Sequence, residues 1–79
     1  MNKPIFEIIK VYKSLRAGPE SDVTPRLVKI GKKTYIDIRE FVNSESYKGF
    51  TKKGICLSFD DLQTLAELLP QFLEDLDNT

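Results

Sequence analysis

Between Arg26 and Lys53 the chain carries eight basic residues, Arg26, Lys29, Lys32, Lys33, Arg39, Lys48, Lys52 and Lys53, against three acids, Asp37, Glu40 and Glu45. Tyr47 and Phe50 lie among them. Cations that track a phosphate backbone, interleaved with aromatic faces on which bases stack, supply the chemistry that binds a single-stranded nucleic acid. The formal net charge of zero conceals this pattern. All 12 Lys and Arg residues fall in positions 1 to 58 beside 6 acids, whereas positions 59 to 79 hold 6 acids and no base. Such a split points to a polyanionic partner for the first part. It also gives a compact chain one basic and one acidic side.

Catalysis finds little support. There is no histidine, no phosphate-cradling GxxxxGK[ST] loop and no recognisable nucleophile context. Helix capping and solvation account for the carboxylate pairs Asp60-Asp61 and Glu74-Asp75. Cys56, in the run Gly-Ile-Cys-Leu, reads as a small buried hydrophobe. One cysteine excludes an internal disulfide, and without histidine a zinc site has almost no ligands. The expectation is a non-enzymatic protein with no cofactor and no metal. No run approaches the roughly 20 apolar residues of a membrane span, and the N-terminal residues lack a secretory pattern, so a soluble intracellular protein is expected.

Strands must position the cations. Ile5 to Tyr12 is rich in β-branched and aromatic residues and reads as the first strand. Gly18-Pro19, Ser21-Asp22 and Pro25 crowd together, which reads as a turn or loop. Arg26 to Ile30 reads as a short strand, and Gly31-Lys32-Lys33 as a tight turn in which glycine supplies the positive backbone angle. In Thr34 to Val42, alternation sets Ile36 and Ile38 on one face, taken toward the core, with Tyr35, Asp37, Arg39 and Phe41 on the other. Arg39 is then expected on an open sheet surface. Asn43 to Thr51 reads as a hairpin connection carrying Tyr47, Lys48 and Phe50 at its tip. Ile55 to Ser58 reads as a short strand buried on both faces.

The last element reads as a helix over about 59–76. Ser58 caps it with Asp61 three residues on, Leu57 and Leu62 form a hydrophobic staple, and Asp60 and Asp61 suit the positive end of the helix dipole. Leu62, Leu65, Ala66, Leu69, Leu73 and Leu76 share one face. Pro70 cannot bond the Ala66 carbonyl, so a kink is expected there. Its carboxylates would repel phosphate, which sets the helix on the far side of the sheet. Its leucines then face the core or a second subunit, with Leu68 and Phe72 off the main stripe.

The order Ile36-Asp37-Ile38-Arg39-Glu40-Phe41, a loop, Lys52-Lys53-Gly54-Ile55 with Leu57, then a capped helix resembles the C-terminal core of the positive-cofactor-four family of transcriptional coactivators. These are small dimeric proteins that bind single-stranded DNA. The resemblance covers about half the chain and implies a bent C-terminal helix. It also implies that Arg39 lies on the DNA-facing sheet and that Lys33, Lys52 and Lys53 line the DNA channel. Two departures stand out. Family members often carry a base-stacking tryptophan where this chain has Val42, and a second stacking aromatic in the neighbourhood held here by Ile30 or Gly31.

Residues 1–79 are thus expected to form one α+β domain, a curved antiparallel sheet of about four strands followed by one kinked helix. A chain this short buries only about 60% of its unfolded surface, which favours a homodimer, here through Leu65, Leu68, Leu69, Phe72 and Leu73. The expected function is sequence-tolerant binding of single-stranded DNA, or of unwound duplex, in transcription, replication or repair. RNA is the second candidate ligand, and transcription or replication proteins are further candidate partners. The alternative is a dimeric interaction module or transcription adaptor acting through the acidic leucine-rich helix. Eukaryotic family members usually add a long Ser and Lys-rich N-terminal region. Without one, the expectation is a cytoplasmic, nucleoid-associated protein of bacterial or viral source, or a nuclear one if eukaryotic.

Overall fold

The β-branched and aromatic runs form strands, and the leucine-striped segment forms a helix. A computed structural model describes residues 5–79 as β1 (Phe6–Val11), β2 (Leu15–Arg16), β3 (Ser21–Ile30), β4 (Lys33–Asn43), β5 (Lys48–Leu57) and α1 (Phe59–Asp77). The sheet is open and antiparallel in the order β1-β3-β4-β5, with β2 sharing the β1 side of β3. Gly31, at φ 64°, closes the β3-β4 hairpin as its position in the sequence suggests. Ser58 caps α1, its side chain accepting from the Asp61 amide at 3.3 Å, and the helix runs through Pro70 to Asp77 as one element.

Two stretches expected as loops are strands. Ser21 to Pro25 extends β3 despite its proline. Pro25 tolerates the strand because its missing N–H falls at the gap between β1 and β2, where its carbonyl accepts from the Tyr12 amide at 2.9 Å. The connection expected over Asn43 to Thr51 shortens to Ser44–Tyr47, closed by the Ser44 amide donating to the Tyr47 carbonyl at 2.8 Å. Lys48 and Phe50 therefore belong to β5. An edge strand accommodates such polar and glycine residues because one side of it needs no partner.

Burial departs from expectation on both faces of the sheet. The register pairs Arg26 with Asp37, Thr24 with Arg39 and Val28 with Tyr35, so these side chains share one face. That face was expected to be open, yet it holds Val28 (0% exposed), Asp37 (2%), Arg26 and Thr24 (both 5%). Phe6 of β1 and Phe50 of β5 both reach the Arg26 guanidinium, at 5.6 and 4.2 Å. Since β1 and β5 are opposite edges, the sheet curls over this face and buries it without a covering layer.

The other face carries Leu27, Ile36 and Leu57, which line a pocket together with half-buried Leu62 and exposed Phe59 at the start of α1. Ile36 and Ile38 are only half-buried there. The run Ile55-Cys56-Leu57 was expected to be buried on both faces, but β5 is an edge: Ile55 is 55% exposed and Cys56 is exposed too. No residue of α1 is buried, and only Leu62 and Leu65 are even half so. The leucine stripe therefore leaves the sheet instead of covering it.

The chain is accordingly extended. Its radius of gyration is 15.0 Å, against about 12 Å for a compact domain of this length. It exposes 6724 Å², where a folded chain of this mass exposes about 4,900 Å².

At Gly54 the close approach of β4 leaves no room for a side chain. A Cβ there would stand 2.6 Å from the Ile38 carbonyl oxygen and 2.9 Å from both Cα and Cζ of Arg39. Gly54→Ala should therefore destabilise the fold by about 1–3 kcal/mol, the usual cost of overpacking. Urea denaturation at fixed protein concentration measures this, and an unchanged midpoint would contradict it.

Candidate nucleic-acid interface

One carboxylate organises the curled face. Oδ2 of Asp37 accepts from Nε and Nη2 of Arg26, at 3.1 and 2.6 Å, and from Nε of Arg39 at 3.2 Å. Oδ1 accepts from Nη2 of Arg39 at 2.7 Å. Arg39 also donates from Nη1 to the Lys52 carbonyl at 2.9 Å. These are the only ion pairs among the described residues. Two guanidiniums on one carboxylate leave the cluster with one net positive charge.

The β4-β5 register places Lys52 beside the cluster. Arg39 pairs with Gly54 and Phe41 with Phe50, so three residues of β5, Thr51 to Lys53, oppose Glu40 alone. This bulge is pinned by the Thr51 hydroxyl, which donates to Glu40 Oε1 at 2.9 Å and accepts from the Lys53 amide at 3.0 Å. It turns the Lys52 carbonyl to Arg39 and leaves both lysine side chains in solvent.

The basic residues singled out in the sequence divide three ways. Arg26 is buried and paired, so it is structural where a ligand contact was expected. Lys29 pairs with Thr34 and lies on the helix side of the sheet, away from Arg39. Lys33 and Lys48 are exposed on the Arg39 face by register, Lys52 and Lys53 are exposed in the bulge beside Arg39, and Lys32 is exposed in the adjoining turn. Lys32, Lys33 and Tyr35 border a groove of about 390 Å³ whose far wall is Ser58, Phe59 and Asp60. The helix thus sets one carboxylate, Asp60, beside the paired lysines, although its body lies on the other side.

The aromatics change roles. Phe50 was expected free at a loop tip but packs edge-on to Phe41, with centroids 5.0 Å apart, and beneath Arg26. Tyr47 keeps half its surface exposed, with its hydroxyl donating to the Phe50 carbonyl at 2.6 Å. Half-buried Tyr35 lies on the Arg39 face, whereas the Tyr47 ring lies against Gly49, the partner of Val42. Sequence reasoning missed Asp37 and Gly54 as parts of the site. The Asp-x-Arg spacing does put Asp37 and Arg39 on one face, but the contribution of Arg26 depends on register across the hairpin.

Burial alone would raise the Asp37 carboxyl, but hydrogen bonds from Arg39 and Arg26, with their charges, outweigh it and hold it below the ordinary carboxylate range. The Asp37 contact raises Arg39 in turn. Partial desolvation, then the Asp37 charge, raises the Cys56 thiol, which disfavours a reactive thiolate.

A carboxyl depressed on folding stabilises the protein fully above its unfolded pKa of about 3.9, and that stabilisation is lost as pH falls through the lower folded value. The thermal midpoint should therefore drop below about pH 4. In Asp37→Asn that acid limb should be shallower. An identical limb in both proteins would show that Asp37 does not carry it.

No curated protein and no solved structure gives a match to the chain. A family model does, over residues 16–68, a span that takes in Arg26, Asp37, Arg39, the β5 bulge and Gly54. That span is more than half of the 79 residues, and the chain belongs to the transcriptional coactivator p15 (PC4) family of DNA-binding coactivators.

Proposed function

We propose that this chain binds single-stranded DNA, or unwound duplex, with little regard to sequence, and that it works as a homodimer in transcription, replication or repair. One observation carries the reading. Of the eight basic residues between Arg26 and Lys53, only Arg26 and Arg39 have a carboxylate partner among the described residues, and the other six are exposed without an ion pair there. Lysines free of internal partners can neutralise phosphates. Tyr47 and Tyr35 supply ring faces for stacking, each such contact being worth roughly 1–3 kcal/mol per base. RNA would meet the same cations and rings and is the competing ligand. Transcription or replication proteins are further proposed partners. On this reading the protein acts where DNA is, in the cytoplasm on the nucleoid for a bacterial or viral source and in the nucleus for a eukaryotic one.

The surface left uncovered supports dimerisation. Leu68, Leu69, Phe72, Leu73 and Leu76 are each 43% exposed or more, and Leu65 is half-buried. With Ile55 they form far more apolar surface than a soluble monomer leaves open. The accessible area exceeds that of a compact chain by about 1,800 Å², and two such chains would bury an amount usual for an obligate dimer. The same exposed leucines and carboxylates favour a second reading, an adaptor that docks other proteins through α1.

Titrating the protein with a fluorescent oligonucleotide tests the first reading. With roughly four to six phosphate contacts, log affinity should fall against log salt with a slope of about −3 to −4. Arg39→Glu combined with Lys53→Glu should abolish binding. Affinity that stays flat with salt, or survives the double reversal, would contradict strand binding by this face. Sedimentation should show a species of twice the 9.1 kDa chain mass, and a monomer persisting at micromolar concentration would refute the dimer.

A further inference from the structure

A carboxylate at the centre of a surface that binds a polyanion is out of place on charge alone. Asp37 repels phosphate, and its 2% exposure means that water does little to screen it. Its pairing with Arg26 ties β3 to β4, whereas Arg39 lies on its own strand. Its second pairing, with Arg39, is left to explain.

Arg39 is held at three points. Asp37 takes its Nε–H and one Nη2–H, and the Lys52 carbonyl takes one Nη1–H. The bare backbone of Gly54 lets its Cζ lie where a Cβ would be only 2.9 Å away. A guanidinium has five N–H donors, so two remain, on Nη1 and Nη2. The side chain is still 21% exposed. Its rotamer freedom is lost on folding instead of on binding, which is how preorganisation raises affinity.

We propose that Asp37 is a positioning residue: it fixes the Arg39 guanidinium so that its two spare donors face a backbone phosphate of the bound strand. This rests on the single-strand reading above. Asp37 itself does not touch the ligand, and Arg26 supplies the second positive charge that lets the carboxylate stay ionised in its buried place.

The sign of one mutation separates positioning from charge. Asp37→Asn makes the chain more positive by one unit, so a purely electrostatic role predicts tighter binding of an oligothymidylate and a steeper salt slope. Positioning predicts the reverse: affinity lower by about tenfold, as for the loss of one charge-assisted hydrogen bond, and a slope shallower by about 0.7. Arg39→Lys keeps the charge but cannot make the two-pronged contact. It should lose a similar factor, and adding Asp37→Asn to it should cost little more. Because Asp37→Asn leaves Arg26 without its ion-pair partner, circular dichroism must show it folded. Arg39→Lys, at a part-exposed site, gives the decision if it is not. Tighter or unchanged binding by folded Asp37→Asn, or full affinity in Arg39→Lys, would overturn the proposal while leaving strand binding intact. Failure of the unmodified protein to bind any single strand would remove both.

Discussion

Two arginines from neighbouring strands share the carboxylate of Asp37, and the rest of the sheet is arranged around that contact. Removing one partner from a buried ion pair typically costs about 3–5 kcal/mol, because the remaining charge stays uncompensated. In a chain whose only fully buried apolar side chain among the described residues is Val28, that is a large share of the available stability. The pairing also fixes the β3-β4 register, since a slip of one residue would carry Arg26 and Asp37 to opposite faces. Phe6 and Phe50 flank the Arg26 guanidinium, and Phe41 packs edge-on to Phe50.

Two unlike surfaces follow from this arrangement. The curled face is polar at its centre, aromatic around it and edged by lysines that have no ion-pair partner among the described residues. The opposite face is apolar and receives only the first turns of α1, while the remaining leucines project past the sheet. Among the described residues nothing covers that second surface, which fits the proposed dimer. Binding of a nucleic acid on one side and association through the other are therefore compatible demands on the same small chain.

What could be read from the sequence was mostly local. Ser58 with Asp61, the leucine spacing and Gly31 before two lysines each specify their structure within a few residues, and each appears where expected. The short motifs around Arg39 and Lys52-Lys53-Gly54 pointed to the family for the same reason. Burial was less legible because it depends on which strands are edges and which way the sheet curls. Ile55-Cys56-Leu57 looks like a central strand, yet it lies at an edge. Arg26 and Lys29 are three residues apart and equally basic, but alternation puts them on opposite faces, and only Arg26 meets a carboxylate. Phe50 looked free because its pairing with Phe41 across the hairpin is not visible in composition.

On the proposed reading, the strand binds at the Arg39 face and α1 serves association. An amide and arginine side-chain NMR titration of isotope-labelled protein with a short single-stranded oligonucleotide addresses this most directly. The largest shifts should fall on the Arg39 Nε–H and on the amides of Lys33, Lys52, Lys53 and Gly54, with Leu68 to Leu76 unmoved. Shifts concentrated along α1, with the Arg39 Nε–H silent, would contradict it.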